Sequence, residues 1–322
     1  MKLFPLHLIP NDTTIDFMRH RKPVLVLMVV LLVLSIGIIG FKGFNYALEF
    51  TGGTVVRTHF QNSIDADSVR ERLAAAGFEN VQVQSVGGGN DMMVRLPPDA
   101  EHNNAADAAQ KVAEKVRAAV TSEANPATVQ PGEFVGPQVG RDLAMNGVYA
   151  TLFMLVGFLI YIAARFEWKF AVVASITAFF DLILTVAYMS LLGREFDLTV
   201  LAGMLSVMGF AINDIIVVFD RVRENFRSLR VDPLEVLNRS INQTLSRTII
   251  TAVMFFLSAL ALYMYGGESM EGLAETHMIG AVIVVVSSVI VAVPMLSIGK
   301  FAVSKQDLMP KARDVEELAR RP

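Results

Sequence analysis

Six apolar stretches, each long enough to cross a bilayer as a helix, constrain this chain more than any other feature. About 20 apolar residues span roughly 30 Å of hydrocarbon. The stretches are Val24–Phe41, Leu143–Ala164, Phe170–Leu192, Leu198–Phe219, Thr248–Gly267 and Thr276–Gly299. The third holds one charge, Asp181, and the fourth holds one, Asp214; the sixth carries only the titratable His277. Val24–Phe41 exceeds the apolar core of a signal peptide, and no A-x-A cleavage pattern follows it, so it reads as a retained helix. Composition agrees, with 53% hydrophobic and 18% charged residues among 322. A polytopic α-helical membrane protein is the expected fold class.

Charge orients the spans. With the N-terminus inside, segments 1–22, 165–169, 220–247 and 300–322 hold 18 of the 28 Lys and Arg residues. The short outer loops hold only Arg194, against Glu195, Asp197, Glu268, Glu271 and Glu275. The positive-inside rule then puts both termini on the cytoplasmic side. The expected division is a cytoplasmic segment 1–22, a first membrane helix 23–42, an outer domain 43–142, five membrane helices in 143–299 and a cytoplasmic tail 300–322.

Segment 43–142 is too polar to enter the bilayer. It holds 8 Lys/Arg and 13 Asp/Glu, an acidic balance that argues against nucleic acid, whose binding needs concentrated positive charge. Thr54–Phe60 is β-branched and reads as a strand. Asp65-Ala66-Asp67-Ser68 offers a cap for a helix to Ala76, stopped by Gly77. Val81–Val86 and Met92–Leu96 read as a hairpin around Gly87-Gly88-Gly89-Asn90. Pro97-Pro98 breaks the chain before an Ala-rich helix, Ala105–Val120, and a last strand is expected within Thr128–Val135. The order β-α-β-β-α-β is that of a ferredoxin-like α+β domain. Both of its seams are glycine-rich, Phe50-Thr51-Gly52-Gly53 on one side and Gly136-Pro137 with Gly140 on the other; they read as tight turns or as hinges.

The candidate functional residues are intramembrane charges. An Asp at the centre of a spanning helix costs about 2.5–3.5 kcal/mol on insertion scales, so Asp214 and Asp181 require a reason to be there. Asp214, preceded by Asn213, lies toward the cytoplasmic half of its span. Arg247 opens the fifth span across a loop and has the reach to meet Asp214. An Asp whose cationic partner moves can take up and release a proton. Asp181 lies near the middle of the third span with Thr177 and Thr185 one turn away on the same face; a second relay carboxylate and a plain helix-packing contact both fit. Asp220 and Glu224 read as solvated ion pairs with Arg221 and Arg227. There is no cysteine, and the five histidines lack zinc-ligand spacing. No metal or cofactor is expected, and no nucleotide-binding loop is present.

Phe50-Thr51-Gly52-Gly53, Phe134-Val135-Gly136-Pro137 with Gly140, Arg165-Phe166-Glu167-Trp168, Asn213-Asp214-Ile215-Ile216-Val217-Val218-Phe219-Asp220-Arg221 and Gln243-Thr244-Leu245-Ser246-Arg247-Thr248 together resemble the SecF family. That family is similar to RND proteins, whose two six-span halves pack around a pseudo-two-fold axis. The resemblance implies one half of such a bundle and a SecD partner. It also implies a role in late preprotein translocation, drawing unfolded preprotein from SecYEG with the proton-motive force rather than performing metabolic catalysis. It assigns proton transport to Asp214 and Arg247, with a further Asp contributed by SecD; Asp181 and Asn213 are secondary relay candidates on the reading of the residues alone. Many members place His before the Asp of the third span, but this chain has Phe180 there. The alternative is an RND-type proton-driven exporter of small molecules or lipids.

Overall fold

The computed structural model describes residues 13–78, 81–86, 89–97, 105–122 and 125–308. The centre of the Gly-rich hairpin turn, Pro98 and the outer parts of both termini lie outside them. The chain divides into two compact units, Met1–Asn45 with Ala150–Pro322, and Tyr46–Tyr149.

Among the described residues six helices are long and apolar enough to cross a membrane. They lie in α1 (Arg21–Lys42), α4 (Pro137–Arg165), α5 (Trp168–Leu192), α6 (Leu198–Ser228), α7 (Pro233–Tyr265) and α8 (Glu268–Val286, prolonged through Met295). The other unit holds α2 (Ala66–Ala75) and α3 (Ala105–Val120), besides a single turn at Leu48–Thr51. The polar segment 220–247, expected as a loop, is almost wholly helical: α6 and α7 run on until only four residues, 229–232, connect them. Local chemistry explains the extension. Asp232 accepts a hydrogen bond from Leu234 N at 3.0 Å and caps α7, with Pro233 at the first helical position, where its missing N–H costs nothing. Across the hairpin, Asn225 Nδ2 donates to Ser240 Oγ and to Gln243 Oε1, both at 2.9 Å.

The main apolar core of the membrane unit is built around three phenylalanines. Phe166, Phe170 and Phe219 meet at centroid distances of 5.2–6.1 Å, and Ile162, Val218, Val222, Leu237 and Ile241 close around them. Large apolar side chains stay exposed along α1 (Val26, Val29, Val33, Leu34) and α4 (Leu152, Phe153, Val156, Ile160). Exposed apolar surface of that extent suits lipid rather than water. Ahead of α1, residues 15–17 strap onto α7, with Ile15 N and Phe17 N donating to Asn242 and Asn238 at 3.0 and 2.8 Å.

Asp220 pairs with Arg165 at 2.8 Å rather than with Arg221 or Arg227, and Arg223 faces Glu167 at 3.6 Å. Glu224 pairs with Arg221 one turn away at 2.9 Å. The Arg165-Phe166-Glu167 turn is thus fastened to the polar end of α6. Beyond α8, Asp307 accepts hydrogen bonds from Lys169 Nζ and from Ser304 N and Oγ, each at 2.8 Å. Partial burial alone would raise the Asp307 carboxyl, but those donors outweigh it and hold the group below the usual carboxylate range.

The second unit is the ferredoxin-like α+β fold. Its elements are β1 (Gly53–Phe60), α2 (Ala66–Ala75), β2 (Gln82–Val86), β3 (Asp91–Leu96), α3 (Ala105–Val120), β4 (Ala127–Val129) and β5 (Glu133–Val135). The antiparallel sheet runs β2-β3-β1-β4, with β5 also on β1. Thr54 pairs with Leu96 and His59 with Asp91, while Gln82 pairs with Arg95. The expected last strand is split in two because Pro131 has no N–H for the ladder. Asp65 occupies the cap position of α2 without a side-chain cap bond. Alternation on β1 buries Val56 and Phe60 against Val69, Leu73, Val116 and Val120 of the two helices, each worth about 1.5–3 kcal/mol of apolar burial.

Candidate functional site

α5, α6, α7 and the end of α8 bring a set of polar side chains together inside the membrane unit. Asp181 is 1% exposed and Asp214 5%, while Thr248, Ser287 and Ser288 are fully or almost fully buried. The Asp214 Oδ1 atom accepts a hydrogen bond from Thr248 Oγ1 at 2.8 Å. Its Oδ2 atom and both oxygens of Asp181 have no hydrogen-bond partner among the described residues. The two carboxylates are near enough for the charge on one to be felt by the other. Buried, incompletely partnered carboxyls are costly in a low-dielectric interior.

Ser287 is the side-chain polar neighbour of Asp181, and Ser288 is that of Asp214. The two serines nevertheless donate their own protons to backbone carbonyls, Ser287 to Val284 O at 3.1 Å and Ser288 to Val285 O at 3.3 Å. Both open a wide π-type turn, Ser287–Ala292, inside the last membrane helix. Pro294 follows it. A proline removes the N–H owed to the carbonyl four residues back and crowds that carbonyl, so the ladder widens just before it. The sequence reading missed these serines; a Ser-Ser pair six residues ahead of a proline in an apolar helix was the available signal.

The other residues singled out from the sequence fall as follows. Thr177 and Thr185 donate to the carbonyls of Val173 (2.9 Å) and Asp181 (2.8 Å), not to the Asp181 carboxylate. Phe180 packs with Met28 and Val291. Arg247 is exposed on α7 and forms no ion pair among the described residues; its charge still acts on Asp214. Asn213 also faces outward from the unit. Above the site, Phe210 stacks on Phe255 (4.6 Å, 6°), whose edge meets His277 at 4.9 Å. Helix α8 lies close on α6 through glycines, since a Cβ on Gly203 would come within 2.9 Å of Thr276 and one on Gly280 within 2.4 Å of Val207. A Cβ on Gly209 would have room, with Met154 Cε at 4.0 Å.

Within the α+β unit the two glycine seams touch each other. Gly52 has φ +69°, and a Cβ there would lie 3.1 Å from Pro137 Cα and 3.3 Å from Val135 O. A Cβ on Gly140 would lie 2.9 Å from Gly52 N. Gly53 also has positive φ, at 117°. A Cβ on Gly136 would meet nothing within 4 Å.

Comparison with known proteins follows the same lines. The family profile described as "Protein export membrane protein SecD/SecF, C-terminal" matches residues 115–300, and that of the "SecD/SecF GG Motif" matches residues 37–64, which include Gly52 and Gly53. The chain is 41% identical over 281 residues to the protein translocase subunit SecF of Haemophilus influenzae, covering 86% of this chain and 84% of that one. It is 39% identical over 302 residues to the SecF subunit of Pseudomonas aeruginosa, covering 94% and 96%. Among solved structures, the translocon-associated membrane protein SecDF of Thermus thermophilus is similar with a TM-score of 0.79 and 32% identity. That match covers 90% of this chain but only 39% of the SecDF chain. A second SecDF structure, in a super-membrane-facing form, matches with a TM-score of 0.65 and 31% identity over 98% of this chain and 41% of that one. With six spanning helices, a ferredoxin-like domain and matches over most of its length, this chain belongs to the SecF family of protein-export membrane proteins.

Proposed function

We propose that the chain is the SecF-like half of a SecD–SecF complex that uses the proton-motive force to assist late preprotein translocation through SecYEG. The observation that carries this reading is Asp214, buried in the membrane unit with one oxygen held by Thr248 and the other without a hydrogen-bond partner among the described residues. Such a carboxyl is built to change protonation state rather than to cement helices. Arg247 beside it supplies a positive charge whose approach or withdrawal biases that change. Asn213 and Arg247, polar and outward-facing at membrane depth, support a partner covering this face, as a polar residue facing lipid is costly. The chain spans 39% of the Thermus SecDF chain, which leaves room for a SecD half. An RND-type exporter is the less favoured reading, because the relatives are named as translocase subunits.

One charge crossing 100 mV yields about 2.3 kcal/mol, whereas a complete switch from 1:99 to 99:1 needs about 5.5 kcal/mol. Each stroke therefore involves several protons, a larger total motive force or an incomplete switch. The close packing of Gly52 on Pro137 and Gly140 supports one tight joint at the base of the α+β domain rather than two separate hinges. The test of the functional reading is co-expression with SecD. The two chains should co-purify in mild detergent and restore proton-dependent export to cells lacking SecF. A stable homomer that conducts protons without SecD would contradict it.

We place the complex in the bacterial inner membrane with both termini and the α6–α7 hairpin tip cytoplasmic and the α+β domain periplasmic. The support is the Lys/Arg asymmetry. Because the chain has no cysteine, single-cysteine labelling reads this cleanly. Asn90→Cys should react with a membrane-impermeant reagent from the periplasm; reaction only from the cytoplasm would invert the assignment.

A further inference from the structure

We infer that Ser287 and Ser288 are positioning residues of the proton site, and that their hydroxyls turn between the α8 backbone and the two aspartates as the protonation state changes. This rests on the reading of Asp214 as a proton carrier. Three observations carry it independently of that reading. The serines are fully buried and adjacent in sequence, yet each faces a different carboxylate. They open the π-type turn, where a widened ladder leaves backbone carbonyls able to accept from a side chain. Three of the four carboxylate oxygens beside them have no hydrogen-bond partner among the described residues. π-type turns in long helices recur at functional sites.

The chemistry follows from what each group can donate. A hydroxyl has one proton to give and two lone pairs to receive with. A protonated aspartic acid is itself a donor, so it can give its proton to a serine Oγ while that serine still donates to Val284 O or Val285 O. A charged carboxylate only accepts, so the hydroxyl must rotate and donate to it, which releases the carbonyl. The proton that enters or leaves is the carboxyl's own, and the serine's proton only changes partner. Each change of charge therefore frees or clamps a carbonyl of the α-helical turn that leads into the π-type turn, and the last helix registers the event. The charged and titratable groups around the serines are Asp181 on α5, Asp214 on α6 and Arg247 on α7. On α8 His277 lies about three turns back, and α1 carries no charge between Lys22 and Lys42.

The experiment is proton flux against pH in vesicles holding the complex with SecD. It compares the parent with Ser287→Ala, Ser288→Ala and a control, Thr185→Val, whose hydroxyl serves only the backbone. Ser288→Ala should lower flux about tenfold or more, the scale of a lost hydrogen bond to a charged group, and should displace the pH of half-maximal flux by about one unit. Ser287→Ala should displace it in the same sense, and Thr185→Val should match the parent. Flux is taken per folded complex, measured by SecD co-purification, so poor accumulation does not obscure the profile. A parental profile in Ser288→Ala, or a uniform loss with the profile unmoved, would overturn the proposal. Failure of the underlying reading shows separately, as parental flux in Asp214→Asn.

Discussion

Gly280→Leu should leave the membrane unit unable to close. A Cβ at this position would lie 2.4 and 2.6 Å from the two methyl carbons of Val207 and 3.1 Å from its Cβ. Rotating Val207 cannot clear all three, because its own Cβ is fixed to the α6 backbone. The helices must move apart, and inside a membrane little drives them back, since lipid tails are as apolar as the faces they would rejoin. Association there depends on close van der Waals contact, and the Gly203–Thr276 contact on the same seam would be lost with it. Overpacking a tight site costs about 1–3 kcal/mol and sometimes more, a sizeable part of a typical margin of about 5–15 kcal/mol, and the clash here is with a side chain that cannot rotate clear. The buried polar set of Asp181, Asp214, Ser287 and Ser288 would open as α8 moved. The check is thermal unfolding of the detergent-purified protein. Gly280→Ala should be clearly destabilised, Gly280→Leu should scarcely accumulate, and Gly280→Ala with Val207→Ala should recover most of the loss. Parental stability in Gly280→Leu would show that α6 and α8 do not meet here.

Much of this was legible in the chain because membrane helices and alternating strands announce themselves by period and length. Each of the six spans was found, and the β-α-β-β-α-β order fixed the ferredoxin-like unit. Helix ends were less legible. Residues 220–228 and 233–247 are too charged to count as membrane, yet hydrogen bonds across the hairpin and a Pro233 start hold them helical. The ion pair of Asp220 with Arg165 joins residues 55 positions apart, which no local pattern shows. Asp214 and Asp181 stood out because a carboxylate in an apolar run is costly. Ser287 and Ser288 did not, since a buried serine in a helix ordinarily satisfies itself on its own backbone. Their significance comes from the π-type turn and from what lies opposite. Likewise Gly52, Pro137 and Gly140 were visible as two glycine-rich seams, but only the fold brings them into one contact.

The largest functional effect is expected at Asp214. Asparagine preserves its size and its ability to accept from Thr248, but it cannot gain or lose a proton near neutral pH. Because a neutral amide costs less to bury than a carboxylate, Asp214→Asn should fold, insert and bind SecD as the parent does. Arg247→Met should act in the same direction, as the positive charge that favours ionised Asp214 is gone. Arg247→Lys should keep partial activity, since an ammonium retains the charge but not the planar fork. Asp181→Asn tests whether the second carboxylate shares the load. An effect as severe as that of Asp214→Asn would make the two a coupled pair.

The central claim is that protonation of Asp214 couples the proton-motive force to export. The most direct measurement is proton entry and preprotein export followed together in membrane vesicles, with Asp214→Asn compared against the parent at equal amounts of assembled complex. The account predicts that proton entry through the complex falls to background and that the proton-dependent part of export disappears. Export at the parental rate, under an undiminished proton-motive force, would contradict it and leave Asp214 a structural residue.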